Sequence, residues 1–518
     1  MAAIFGSSTR APCRGLNQIM NPDAFRPARR PISLSRPLRV LAANRRYFSD
    51  DGQRAVYLTG SHNWNNFYDA SDVANFDFHS HLRFLGEQNH NFTRLWVAEQ
   101  TTWTSWNTEQ VRFDPSLYQR TGPGNALDGG LRFDLTRFND NYFQRLHQRV
   151  KDARDVGIYV AIMLFNGWSV GKQPYYPGNP WPGHPFNRHN NVNGIDGDLD
   201  GDGEGKDVHT VHCPAITRLQ ETYVRKVIDS LNDLSNVLWE ISNESSPASR
   251  EWQYHMIRFI KTCEASKLYQ HPVGMTAMHP EGSNADLFQS PADWISPNLG
   301  ERDRYRINPP AADGDKIILT DTDHLWGIGG DKSWVWKSFM RGLNPIYMDP
   351  LEDQRWDSFA EQTESCRRAM GETLDYADRI NLAAMTPRPD LASSGYCLAN
   401  SGKEYLVYLP FEAHWLESAR FFRRFKRVIS RIRWLFRRKT TVNLGADSGE
   451  SLIEWFNPTT GDMIKANSRK GGATPRFKAP FRGDAVLFIR NQSLDGEQVA
   501  TTEVGRAVTG VEQIACPV

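Results

Sequence analysis

Residues Asn236 to Pro247 read NVLWEISNESSP, and this stretch decides the fold. Val237, Leu238, Trp239 and Ile241 are the residues of a buried strand. The run then stops on Asn243-Glu244, followed by Ser-Ser-Pro. A carboxylate is costly inside an apolar core. A strand that ends on one therefore opens onto solvent or a functional site.

Working outward from this strand, the same unit recurs. The first copy is the strand-turn-strand VLAANRRYFSDDGQRAVYLTGSHNW, with its turn at Asp51-Gly52. Next come a helical stretch FDFHSHLRFLGEQNH and a strand NFTRLWVAEQTTW. Helix NYFQRLHQRVKDARDVG leads to strand IYVAIMLFNGW. Helix ITRLQETYVRKVIDSLND leads to the opening stretch, and helix REWQYHMIRFIKTCEAS to HPVGMTAMHP. Three shorter strands follow, in DWISPNL, KIILTDTDHLW and NPIYMDP. Eight strands alternating with helices require a parallel sheet, because each crossover returns the chain to the same edge. Eight such units close into a (β/α)8 TIM barrel, whose chemistry sits at the C-terminal strand ends. Glu244 then lies where the fourth strand meets the active-site bowl.

A glycosidic bond is hydrolysed by two carboxyl groups flanking it. Glu244 supplies one. The seventh strand supplies candidates for the other, Asp321 and Asp323, with His324 beside them. Two residues apart along a strand, the aspartates face one side, and their proximity raises one pKa. Arg94, in TRLW of the second strand, can hold a carboxylate ionised. Asn243 is placed to bond a sugar 2-hydroxyl. His62, Asn63, Trp64, Trp103, Asn166, Trp168, His279 and Trp326 stand at strand ends and complete a substrate-binding set. The tryptophan faces match the C–H faces of sugars.

After about residue 390 the pattern changes to short strands with Gly, Pro and Asn turns, including Asn-Pro-Thr-Thr-Gly at 457–461. This predicts a small antiparallel β-sandwich. The domains expected are a flexible tail over 1–36, the barrel over 37–390, the sandwich over 391–495 and a second tail over 496–518. A basic helical insertion, 411–440, interrupts the sandwich. Its segment RFFRRFKRVISRIRWLFRRK (420–439) sets an apolar stripe against ten basic residues with no acid. Such a helix suits a peripheral membrane surface or an acidic partner.

At this point the chain resembles the clan A, cellulase-like glycoside hydrolases. Arg94 in NFTRLW, Asn243-Glu244 after strand four and an acid after strand seven carry the likeness. GYCLANSGKEYLVYLP, EWFNPTTG and FKAPFRGDAVLFI resemble the β-sandwich domain labelled collagen-binding that often follows such barrels. The resemblance implies Glu244 as acid/base and a nucleophile on strand seven, hence retention. Asp321 stands there where the clan has Glu. A side chain one methylene shorter withdraws the carboxylate by roughly 1.3 Å, which either favours inversion or brings Asp323 forward as the partner. The resemblance also implies an exported enzyme, although MAAIFGSSTRAPCRG has no apolar stretch long enough for a secretory signal.

One further stretch invites a metal. In DGDLDGDGEGKD, Asp196, Asp198 and Asp200 take positions 1, 3 and 5 of a calcium loop. Gly201 takes 6, Asp202 position 7, Glu204 position 9 and Asp207 position 12. A bound calcium ion would be structural, with no cofactor needed for catalysis. Nearby His209 and His212 offer a weaker metal pair.

Bulk features narrow the function. Net charge is +1 over 518 residues, which argues against nucleic acid as a partner. No apolar run is long enough for a membrane span. Six scattered cysteines form no CxxC pair, so no zinc ribbon is suggested. The expected function is a glycoside hydrolase acting on an oligo- or polysaccharide. The competing readings are a non-catalytic carbohydrate-binding or adhesion protein on the same barrel, and a metal-dependent hydrolase built on the acidic loop.

Overall fold

The computed structural model describes residues 19–20, 34–98, 100–298, 300, 304–351, 360–411, 437–445, 450–469 and 473–491. The chain divides into two compact units. One comprises Ala28–Pro389 with Tyr396–Asn400; the other comprises Met1–Pro27, Asp390–Gly395 and Ser401–Val518.

The larger unit is the barrel. Its strands are β1 (Gly60–His62), β2 (Phe92–Trp96), β3 (Tyr159–Asn166), β4 (Val237–Asn243), β5 (Val273–Thr276), β6 (Trp294–Ser296), β7 (Ile317–Asp321) and β8 (Asn344–Met348). All neighbours pair in parallel, from β2 round to β8 and on to β1. Side chains join β1 to β2. Asn91 accepts from the Thr59 amide through Oδ1 at 3.0 Å, and Thr93 Oγ1 donates to the Ser61 carbonyl at 3.0 Å. The ring of eight strands is nearly closed.

Period-2 alternation fixes what fills it. The lowest layer is apolar, with Leu58, Phe92, Tyr159, Leu238, Trp294, Ile317 and Ile346 packed together. Trp294 reaches this layer because β5 carries Gly274 beside it. A Cβ there would sit 2.0 Å from the indole. Above it lies a polar layer of Arg94, Glu240, Asp321 and His62, each inaccessible to solvent. Trp96, Met163 and Met348 cluster with Ile328 as a further apolar group.

Amphipathic helices cover the outside. They are α1 (Phe78–Glu87), α2 (Asp140–Asp155), α3 (Pro214–Leu231), α4 (Arg250–Glu264), α5 (Asn284–Gln289), α6 (Arg304–Ile307), α7 (Thr322–Trp326), α8 (Lys332–Met340) and α9 (Ala360–Arg379). Side chains cap several starts: Asp77 accepts from the Ser80 amide and Asn139 from the Asn141 amide. A hairpin, Tyr118–Asn125 with Leu131–Phe138, is inserted between β2 and α2. No helix among the described residues is long and apolar enough to cross a membrane.

In the smaller unit, β9 (Glu404–Leu409), β10 (Ser451–Phe456), β11 (Met463–Arg469) and β12 (Ala485–Asn491) form an antiparallel sheet in the order β11-β10-β12-β9. A separate ribbon pairs Arg437–Thr441 with Arg476–Arg482. The turn at Asn457–Gly461 closes through the Gly461 amide on the Asn457 carbonyl, 2.8 Å, with Gly461 at φ +78°.

Two expectations are corrected. The tail predicted over 1–36 does not run unbroken. Ile19–Met20 pairs antiparallel with β11, and Leu34 is buried in the barrel floor because it is apolar and meets Leu38 and Phe92 there. The helical insertion predicted over 411–440 does not include Arg437–Thr441, which is a strand paired with Arg476–Arg482. Residues 412–436, and with them most of the basic segment, lie outside the described residues.

Candidate active site

The site grows from the polar layer. Arg94 Nε donates to Glu240 Oε2 at 2.7 Å and Nη2 to Oε1 at 2.9 Å. Its Nη1 donates to Asp321 Oδ2, and His62 Nε2 lies 3.1 Å from Asp321 Oδ1. One guanidinium thus holds two carboxylates where water does not reach. A buried charge is tolerable only when it is paired and bonded in this way. Burial opposes ionisation of Asp321, yet Arg94 and His62 outweigh it and hold its carboxyl well below the usual range. Burial keeps the His62 imidazole low.

β7 ends at Asp321, so the strand rule that would place Asp321 and Asp323 on one face does not apply. Asp321 caps α7 instead: its Oδ1 accepts from the Asp323 amide at 2.9 Å. Asp321 is sealed below, while Asp323, the second residue of the helix, is partly exposed. Trp64 hydrogen-bonds the Asp323 carboxyl, and its other oxygen, Oδ2, has no partner. Burial, then the charge of Asp321, then that of Glu244, raise Asp323 well above the ordinary value.

Glu244 follows β4 with φ +46° and is also partly exposed. Trp168, in the turn after β3, donates from Nε1 to Glu244 Oε2 at 2.6 Å. Asn166 presets that turn by accepting from the Trp168 amide at 3.2 Å. Burial, with a further push from Asp321, lifts Glu244 to about 7 against the opposing bond from Trp168. Asp321 thus pushes both Glu244 and Asp323 upward, and Glu244 adds to the push on Asp323. Such a pair titrates as a unit.

The remaining residues named from sequence divide. His324 is sealed, bonded to Thr276 Oγ1 at 3.0 Å, Ser296 Oγ at 3.1 Å and Asn243 Oδ1 at 3.2 Å. Burial pushes it down to about 3. Asn243 is buried too, its amide 3.3 Å from Asn166 Oδ1. Arg94, Asn243 and His324 spend their polar atoms on neighbouring protein groups beneath the bowl, whereas His62, equally buried, keeps Nδ1 without a partner. Asn63 closes a turn, donating to the Asp349 carbonyl at 2.8 Å and accepting from the Asn65 amide. Trp326 packs edge-on against Trp334 and under Arg306. His279 and Trp103 are partly exposed, and Trp64 is 37% exposed. Tyr176, absent from the sequence reading, packs its ring 5.0 Å from Trp168 and is 48% exposed.

The acidic loop adopts a different frame from the one predicted. The carboxylates of Asp198, Asp200 and Asp202 converge, with one oxygen from each within 4.8 Å of the others. Asp196 turns toward Arg188, and Glu204 toward Lys206 and the Lys172 amide. Asp207 accepts from the Leu199 amide. Hard oxygens at 198, 200 and 202 are a donor set suited to a divalent cation. These three belong to the set named from the sequence, and acids at every second position fit more than one frame. His209 and His212 do not form a metal pair among the described residues. His209 is buried against Ser245 at 2.9 Å.

Glu240 was the main residue missed. Its signal was its parity: Glu240 and Ser242 alternate along β4 with apolar outward positions, on the face that Arg94 occupies across the barrel.

No protein-family model matches the chain, and no curated protein matches its sequence. Solved structures do match its fold. A family 5 glycoside hydrolase from Bacteroides vulgatus ATCC 8482 aligns over 90% of this chain and 95% of its own, with TM-score 0.56 and 11% identity. A second chain, described as a glycoside hydrolase, aligns over 89% and 98%, with TM-score 0.55 and 10% identity. The chain has the fold of the clan A glycoside hydrolases. The fold alone does not assign chemistry; that rests on the site.

Proposed function

We propose that this protein is a glycoside hydrolase whose working carboxyls are Glu244 and Asp323. The observation that carries the reading is the placement of these two partly exposed acids at the ends of β4 and β7, with a sealed Asp321 that Arg94 and His62 hold ionised beside Asp323. Glu244 is the acid: with its pKa lifted to about 7 it holds a proton at neutral pH and can hand it to the leaving oxygen. Trp168 occupies Oε2, which orients the carboxyl and leaves Oε1 for the proton. Asp323 faces the anomeric carbon. Once Glu244 is protonated, one of the two charges raising Asp323 is gone, which favours its ionised form. Asp321 adds fixed negative charge where an oxocarbenium-like transition state turns positive.

The clan resemblance supports retention, with Asp323 attacking carbon and Glu244 later deprotonating the incoming water. Trp64 and Trp168 frame the acids, and Tyr176 extends the aromatic wall, so a sugar-containing chain is the substrate class. The test is a panel of aryl glycosides of both anomers, with plant and microbial glycans, assayed for wild type and Glu244→Gln. Hydrolysis by wild type and its loss in a folded Glu244→Gln supports the reading. Sugar binding without hydrolysis by either protein would favour the carbohydrate-binding alternative.

A further inference from the structure

Glu244 is one of four residues other than glycine with positive φ among the described residues, and its value is +46°. A side chain with a β-carbon occupies that region only when its surroundings enforce it. Three neighbours do so. Gly167, in the turn after β3, lies against the Glu244 carbonyl: a Cβ there would stand 2.4 Å from the carbonyl oxygen, 2.7 Å from its carbon and 2.7 Å from Ser245 Cα. The Ser245 carbonyl accepts from the His279 amide at 3.1 Å. Ser245 Oγ, buried, lies 2.5 Å from Ser242 Oγ and 2.9 Å from His209 Nδ1.

His209 itself needs explaining. Its ring lies 4.5 Å from that of Trp252 at 15°, and 5.9 Å from Phe165, in a site a phenyl ring would fill. Trp252 is tied through Gln220 to the Val208 carbonyl, each bond 2.9 Å, so the platform is fixed to the backbone beside His209. His209 Nε2 is buried with no hydrogen-bond partner. An imidazole here leaves one nitrogen unsatisfied, which is unfavourable, and its side chain makes one hydrogen bond among the described residues, to Ser245. Burial pushes His209 down to about 3, with His184 adding to the effect, so the ring is neutral at working pH. It acts as a fixed prop and not as a base. Ser245 and His209 are each about 1% exposed, which bars a nucleophilic serine.

We infer that Gly167, Ser245 and His209 form a backbone latch that holds Glu244 in its left-handed conformation and so aims its carboxyl at the bowl. These are positioning residues: they touch the acid's backbone or the residue after it. The inference rests on reading Glu244 as the acid. The loop that carries His209 also carries the acidic cluster at 198–202, so His209 is one tie between that loop and the acid.

The experiment compares His209→Phe, Ser245→Ala and Gly167→Ala in the full chain. Infrared difference spectra against each variant's Glu244→Gln double mutant read the carboxyl titration directly, without substrate. Turnover on the glycan hydrolysed by wild type is the second readout. His209→Phe preserves shape and removes the unsatisfied nitrogen, so its melting temperature is expected to hold or rise. Its kcat is expected to fall about tenfold or more at nearly constant KM, with the Glu244 titration midpoint moved away from that recorded for wild type. Gly167→Ala is expected to do the same more strongly. An unchanged midpoint and unchanged kcat in folded His209→Phe would overturn the latch. Full turnover in Glu244→Gln would instead overturn the functional reading, leaving the spectroscopic result to judge the latch alone.

Discussion

Two regions a few residues apart in sequence treat their carboxylates in opposite ways. In the sealed layer, Glu240 and Asp321 share Arg94 and have no contact with solvent. At the mouth, Glu244 and Asp323 are partly exposed, form no salt bridge among the described residues, and are pushed upward in pKa. The sealed layer is arranged for stability and fixed charge. The mouth is arranged for proton transfer, at some expense in stability. The difference teaches that an acid's position on a strand end says less than whether its charge has been neutralised by protein.

That contrast can be broken at its strongest point first. Glu244→Gln should lower turnover by about 10²–10⁴-fold, measured as kcat on the hydrolysed glycan, while the protein stays folded. Its stability relative to wild type should improve as pH rises from 4.5 through about 7. The sign follows because the folded pKa lies above the unfolded one. Ionising Glu244 therefore destabilises the fold progressively across that window, and Gln escapes this. A Gln variant less stable than wild type above pH 7 would place Glu244 among the structural acids.

In the sealed layer the reverse holds. Arg94→Leu leaves two buried carboxylates without their cation and should cost about 3–5 kcal/mol in denaturant unfolding. A loss below about 1 kcal/mol would mean that the layer is hydrated. The aspartates sharpen the comparison further. Asp321→Asn should lose stability, because Arg94 keeps only one carboxylate. Asp323→Asn should hold or gain stability and lose turnover. The smaller effects concern pH. The rate should fall as pH rises through about 7, since the acid form of Glu244 is lost. Trp168→Phe removes a bond that favours the ionised carboxyl, so that descending limb should move to higher pH, by under about one unit. A shift to lower pH would contradict the role given to Trp168.

Much of this was legible in the sequence. The eight strands announce themselves through alternation of helical and strand periods, and Glu244 through its place after an apolar run. What escaped had physical causes. The pairing of Arg94 with Glu240 is a contact across the barrel, separated by 146 residues, and local pattern does not encode it. Asp321 and Asp323 were treated as one face because a strand was extended past its end. The switch to helix at Thr322 leaves Asp321 sealed and Asp323 partly exposed, with one carboxylate oxygen of each still within 4.8 Å of the other. His209 was weighed as a metal ligand, whereas its partner is a serine on another strand's loop. In the acidic loop, Asp196, Glu204 and Asp207 bond protein groups while Asp198, Asp200 and Asp202 converge, a division that spacing alone does not encode.

The most direct test of the account is azide rescue on an activated aryl glycoside, run side by side in Asp323→Ala and Asp321→Ala. Azide fits the space a lost carboxylate leaves and attacks the anomeric carbon in its place. The account predicts restored turnover and a glycosyl azide product in Asp323→Ala only. Rescue confined to Asp321→Ala would put the working carboxylate in the sealed layer and contradict it.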